Sequence, residues 1–193
     1  MNISEALINC ILAIGTATGL FAAIKKWLDG RFRRRWALSV RSIRRMERDL
    51  EESCEALGAL KIRILDCTNT NGIPTPQSSR LYSTVVWEFP RTTDVVWEKV
   101  TCDSHLSDML FDLIRNPEGH REGLVKDISD SAILKGVYGR EGVKTSAQAV
   151  IGFDAKCMYW ITVHFSEEKK LTPIEWEIIR NLTASLKYTF RVQ

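Results

Sequence analysis

The spacing of apolar residues changes character twice along the chain, and each regime predicts a different element. From Ala6 to Ile24 there is no charged residue. A helix of that length, rising about 1.5 Å per residue, spans about 30 Å, the hydrocarbon thickness of a bilayer. From Trp36 to Gly58 the pattern becomes one-sided. Trp36, Val40, Ile43, Leu50, Cys54 and Leu57 recur at alternating steps of four and three, with Glu47 where an apolar residue is due. Such a seam predicts either a short coiled coil or a helix that covers its own domain, and the two readings are compatible in different halves.

Beyond Leu60, strand-like alternation takes over. "KIRILDC" (61–67) and "LYSTVVWEF" (81–89) read as strands around the turn-rich "TNTNGIPTPQSS". "TDVVWEKV" (93–100) and "HLSDMLFDLIRNPEG" read as helices, "GLVKDI" (123–128) as a short strand, and "SAILKGVYGREG" as a short helix entering a glycine-punctuated loop. "KTSAQAVIGF" and "KCMYWITVHF" are two long strands joined around Asp154 and Ala155. On the second, Tyr159, Ile161, Val163 and Phe165 form the more apolar face, which should meet helices. Met158, Trp160, Thr162 and His164 either line a pocket or form the wetter face. Thr172, Pro173 and Glu175 carry a helix start with a capping box. Ile174, Ile178, Leu182 and Leu186 then make a stripe, widened by Ile179 and Phe190. The element order predicts an α+β domain: an antiparallel sheet flanked by terminal helices.

Charge decides how the opening tract is read. Ten basic residues and two acidic ones lie between Lys25 and Arg48, a local +8 in a chain of net charge +3, so the remainder is mildly acidic. Lys25, Lys26, Arg31, Arg33, Arg34 and Arg35 follow the uncharged tract, while "MNISE" precedes it. Cationic flanks stay on the cytoplasmic side, and Trp27 and Trp36 suit the headgroup zone that anionic lipid shares with arginine. A nucleic-acid arm has no use for an apolar tract in front of it, so a nucleic-acid partner is not expected. The organisation expected is a single-pass transmembrane anchor over 1–30, a basic juxtamembrane connecting helix over 31–58, and a domain over 59–193 on the cytoplasmic face, as in a bacterial inner membrane. Gly15 and Gly19 form a G-x-x-x-G pair that suits either close helix packing between two copies or plain anchoring.

Five widely spread cysteines, without a C-x-x-C pair, argue against a disulfide framework or a zinc site. His105, His120 and His164 have no metal-ligand spacing, and "GVYGREGVKT" lacks the glycine that a phosphate loop needs before its Lys-Thr pair. No catalytic residue, metal site or cofactor is therefore expected.

The segments "ALGALKIRILDCTNTNG", "GLVKDISDSAILKGVYGREGVKTSAQAVIGFDAKCMYWITVHFS" and "KKLTPIEWEIIRNLTASL" resemble, in order and spacing, those of a GAF domain over about residues 40 to 190. The resemblance implies a small-molecule sensor or a dimerising signalling module, and does not imply catalysis. The N-K-x-D…F-x-x-x-D-E set of cyclic-nucleotide-binding members is absent, as is a bilin-type cysteine in a recognisable context. Ligand-binding members place their site under the sheet, beneath the middle helices. The matching positions are Trp87, Phe89, Asp127, Ser146, Gln148, Trp160 and His164.

The functional expectation is a membrane-anchored regulatory module whose GAF-like domain binds a small molecule or a protein partner and controls assembly at the membrane, with homo-oligomerisation. The alternatives are a membrane-perturbing effector of a bacterial or phage system triggered by clustering, and a structural anchor of a larger complex. The membrane expectation is tested by fractionation. Full-length protein should sediment with membranes and resist carbonate, whereas a chain beginning near Trp36 should be soluble without detergent; intact chain in the soluble fraction would refute it.

Overall fold

The computed structural model describes residues 40–69, 74, 81–91, 100–116, 119–127, 131–154 and 157–192. The tract 6–24, the basic cluster Lys25–Arg35, Trp27, Trp36, Gly15 and Gly19 all lie outside them. Among the described residues no helix is long and apolar enough to cross a membrane.

From Arg45 onward the chain forms one compact unit. Helix α1 covers 40–57. Gly58 ends it at φ +59°, where a Cβ is strained, and the amides of Gly58 and Ala59 fold back onto the carbonyls of Glu55 and Cys54 at 3.1 and 2.9 Å. The strands are β1 (Lys61–Asn69), β2 (Leu81–Phe89), β3 (Val100–Thr101), β4 (His120–Leu124), β5 (Thr145–Phe153) and β6 (Met158–Phe165). Helix α2 (Ser104–Arg115) stands between β3 and β4, α3 (Ala132–Glu141) between β4 and β5, and α4 (Pro173–Phe190) follows β6. The sheet runs β3-β2-β1-β6-β5-β4, with every neighbouring pair antiparallel. The α+β antiparallel architecture expected from the pattern is what forms.

Two layers of helix cover the sheet. On one face, Met46, Leu50, Cys54 and Leu57 of α1 and Ile179, Leu182 and Leu186 of α4 share a core with Ile62, Ile64, Ala147, Ile161, Val163 and Phe165. On the other, Leu106, Met109, Leu110 and Leu113 of α2 and Leu134 and Tyr138 of α3 share a second core with Cys67, Leu81, Met158 and Trp160. The more apolar face of β6 meets the terminal helices, as its alternation predicts. Asp49 of α1 accepts a hydrogen bond from Ser185 Oγ of α4, linking the two helices of that layer.

Four expectations need correction. "GLVKDI" is not a strand throughout: β4 ends at Leu124 and Val125–Asp127 form a 3-10 turn. Leu124 pairs with Thr145, the first residue of β5, so no partner strand exists beyond it. "GVYGREG" is not a loop. Helix α3 continues through Gly136 and Gly139 to Glu141, and Gly142 at φ +68° closes it, with Val143 N donating to Tyr138 O at 3.0 Å. On α4 the capping box of Thr172 and Glu175 is present, but Ile174 is 71% exposed. Steps of four residues overrun the helical period by about 40° each, so Ile174 lies about 120° around the helix from Leu186. "TDVVWEKV" lies outside the described residues except for Val100, which starts β3 rather than ending a helix.

The α1 seam resolves by halves. Leu50, Cys54 and Leu57 are buried in their own domain, while Val40 and Ile43 are 42% and 37% exposed. Leu50→Glu should therefore cost at least about 3 kcal/mol of folding stability, because its carboxylate has no partner in that core, and leave the oligomeric state of the surviving folded protein unchanged. Ile43→Glu should stay within about 0.5 kcal/mol. Thermal denaturation with light scattering on both variants checks this; a folded Leu50→Glu protein with an altered oligomer would show the seam to be intermolecular.

Candidate functional site

The polar face of β6 is buried rather than wet. Trp160, Thr162 and His164 alternate along it and line a cavity of about 50 Å³ between the sheet and helices α2 and α3. Leu65 and Arg63 of β1, Ser83 and Val85 of β2, Leu106 of α2, and Leu134, Val137 and Tyr138 of α3 complete the wall.

The covering helices are held at both ends. Asp103 caps α2 by accepting Leu106 N–H through Oδ1 at 2.8 Å, and its Oδ2 accepts from Ser131 Oγ at 2.8 Å. Ser131 in turn caps α3 by accepting Leu134 N–H at 3.3 Å. At the far end of α3, Glu141 takes a two-pronged hydrogen bond from Arg63, with Nη1 to Oε2 at 2.9 Å and Nη2 to Oε1. Arg63 also donates Nε to Glu88 at 3.2 Å, and Lys61 Nζ lies 3.6 Å from the same carboxylate. Lys61 and Arg63 are both buried. Two cations and two anions thus form a neutral cluster beside the cavity, an arrangement required by the several kcal/mol that each unpaired buried ion costs.

Four polar atoms of β6 are buried without a hydrogen-bond partner: Trp160 Nε1, Thr162 Oγ1 and both nitrogens of His164. Partnerless buried polar atoms each cost about 1–3 kcal/mol, so their concentration on one wall of one cavity is informative. His164 Nδ1 lies 3.9 Å from Glu141 Oε2, beyond hydrogen-bond reach, and its ring meets the edge of Tyr138 at 4.9 Å. Burial, followed by the nearby charges of Arg63 and Lys61, holds the imidazole well below the usual histidine pKa, so it is neutral. Burial likewise raises the Tyr138 phenol. Ser83, the other hydroxyl in the wall, donates to Asp66 O at 2.8 Å and is not poised as a nucleophile. Among the described residues no cluster of His, Cys, Asp and Glu is placed to hold a metal. The wall offers binding groups.

Of the residues singled out in the sequence, Trp160 and His164 line the cavity. Ser146 and Gln148 are buried on the adjacent strand, where Ser146 Oγ receives Gln148 Nε2 at 2.7 Å and meets Tyr138 Oη at 3.2 Å. They support the covering helix and do not reach the cavity wall. Asp127 ends the 3-10 turn after β4, the edge strand two places from β6. Trp87 and Phe89 lie on the opposite face, packed against the core of α1 and α4. A bulge separates them from the cavity: Ile64 pairs with Trp87 but Leu65 pairs with Val85, leaving Val86 unpaired and inverting the face of every later residue of β2. The same inversion turns Glu88 towards Arg63. The groups not anticipated are Arg63, Glu88, Glu141 and Tyr138. One sign of them is visible in "KIRIL", where two cations alternate with isoleucines and so share one face.

No family model matches the sequence, and no curated protein matches it. Solved structures do resemble the fold. A far-red cyanobacteriochrome photoreceptor superposes with a TM-score of 0.54 at 13% identity, over 78% of this chain and 86% of that one. The GAF domain of a two-component sensor histidine kinase from Bacillus halodurans gives 0.52 at 10% identity, over 74% and 91%. The chromophore-binding domain of a bacteriophytochrome from R. palustris gives 0.50 at 12% identity, over 79% and 61%. At these identities the likeness speaks to architecture, and the domain from α1 to α4 has a GAF-like fold.

Proposed function

We propose that this chain is a sensory or regulatory module in which the cavity beneath α2 and α3 receives a small-molecule ligand. The observation carrying this reading is the set of four partnerless polar atoms in Trp160, Thr162 and His164 of β6, residues that line a cavity whose remaining wall is largely apolar. An apolar pocket with a few convergent polar groups is the form that small-molecule sites take. The sensor histidine kinase and the photoreceptor whose domains share the fold support the sensory part of the reading. The uncharged tract Ala6–Ile24 and the cations after it support a membrane anchor with the domain on the cytoplasmic side, next to anionic lipid. The chain acts by binding rather than by catalysis, and its output passes through α1 to a homo-oligomer or a protein partner at the membrane. With α1 half in the domain core and half exposed, it is the element through which such an output leaves.

Two measurements test this. Full-length protein extracted in mild detergent should carry a small species detectable by native mass spectrometry and lost on denaturation, and Val137→Phe, whose ring fills the cavity, should lack it. In sealed inverted membrane vesicles, protease should remove the C-terminal domain, while right-side-out vesicles should protect it. An empty wild type that no small molecule stabilises, or the opposite protease pattern, would refute the corresponding half of the reading.

A further inference from the structure

The chemistry of the cavity wall restricts what it accepts. This inference rests on the cavity being the ligand site. Trp160 Nε1–H is a donor only, a neutral imidazole carries one N–H, and the Thr162 hydroxyl donates or accepts. Among the described residues the only charged side chain in the wall is Arg63, and its carboxylate partners Glu88 and Glu141 stand outside the wall. Three of the four atoms can thus donate, at the indole, the hydroxyl and one imidazole nitrogen, next to the paired Arg63. The cavity is small, at about 50 Å³.

We propose that the cavity binds a small monovalent oxygen anion, a carboxylate or an inorganic oxyanion, through Trp160 Nε1–H, Thr162 Oγ1 and a His164 that takes up one proton with it. The proton follows from charge balance. Among the described residues the charges of Lys61, Arg63, Glu88 and Glu141 cancel, so an anion entering alone adds a negative charge in apolar surroundings. One proton from solvent, placed on His164, restores neutrality. It gives Nδ1–H a carboxylate 3.9 Å away at Glu141 and leaves Nε2–H as a donor for the anion. The groups facing His164 are Lys61 and Arg63 from β1, Glu88 through its pairs with both, and Tyr138 and Glu141 from α3. On α2, His105, Asp108 and Asp112 are exposed. Without the anion, burial and the two cations keep His164 neutral, so binding and protonation are linked.

The test uses full-length protein in detergent with sodium nitrate, formate and acetate as probes, acetamide as the neutral shape match, and sodium chloride at equal ionic strength as control. At least one oxygen anion should raise the melting temperature while acetamide and chloride do not. For nitrate, which does not itself titrate, affinity should strengthen about tenfold from pH 7 to pH 6, as expected for one proton taken up per anion. Trp160→Phe should weaken binding at least about tenfold, the loss of one hydrogen bond to a charged group. Thr162→Val keeps the shape and removes a partnerless hydroxyl. It should raise the melting temperature of the free protein and reduce the shift caused by the anion, an outcome that does not depend on a destabilised variant surviving. His164→Phe should abolish the pH dependence.

Stabilisation by acetamide as strongly as by acetate, independent of pH, would overturn the anion and leave the cavity as a ligand site. Anion binding that Trp160→Phe and Thr162→Val leave unchanged would overturn it by placing the anion elsewhere. No stabilisation by any probe, with no species lost from Val137→Phe, would overturn this inference together with the reading on which it rests.

Discussion

A guanidinium buried in the middle of a sheet is the constraint from which much of this domain follows. Arg63 sits on β1 with almost no solvent contact, and at that depth it requires paired carboxylates. One comes from the last turn of α3, which sets the height and the end point of the helix that roofs the cavity. The other comes from β2, and only the extra residue at Val86 brings Glu88 to the correct face. The bulge, the position of α3 and the charged corner of the cavity thus meet at one side chain. Replacing such a cluster with packed apolar residues is often neutral or stabilising in proteins, so its presence beside a cavity points to a use other than stability.

β6 supplies the opposite kind of element. Its register is unbroken against β1 from Met158 to His164, so its two faces keep strict alternation. One face cements the terminal helices to the sheet; the other presents indole, hydroxyl and imidazole in a row. β5 behaves as β2 does: Ile151 follows Ala147 and Ala149 into the core of α1 and α4 by plain alternation, and the break between Val150 and Gly152 then turns Phe153 beneath the opposite layer. The unbulged central strand therefore carries the cavity's polar wall, and the bulges lie on its neighbour β5 and, beyond β1, on β2.

How far the sequence discloses this depends on distance along the chain. Periodicity identified most strands and the three long helices because it is a local property, and the faces of β6 were legible for the same reason. Trp160 and His164 were accordingly found. Trp87 and Phe89 enter the site through the GAF resemblance, and no feature of "LYSTVVWEF" announces the bulge that removes them. The pairing of Arg63 with Glu141 joins residues 78 positions apart, beyond any local pattern. Only the alternating cations of "KIRIL" hint that a charged face is being buried. Ser146 and Gln148 are matched to the site by the GAF resemblance, but whether they meet a ligand or each other depends on Tyr138, which arrives on a separate element.

The hydrogen bond between Asp103 and Ser131 has a consequence for how the roof of the cavity opens. Each residue is the N-cap of its own helix, so the two starting turns share one fastening. If Ser131 withdraws, α3 loses the acceptor for its first turn, and Asp103, still capping α2, gives up its second donor in the same event. Helices that would otherwise fray independently are thereby coupled, and their amides should exchange with solvent as a single cooperative unit. The latch grips the cavity wall itself, through the amides of Leu106 and Leu134, so its release would loosen two lining residues at once.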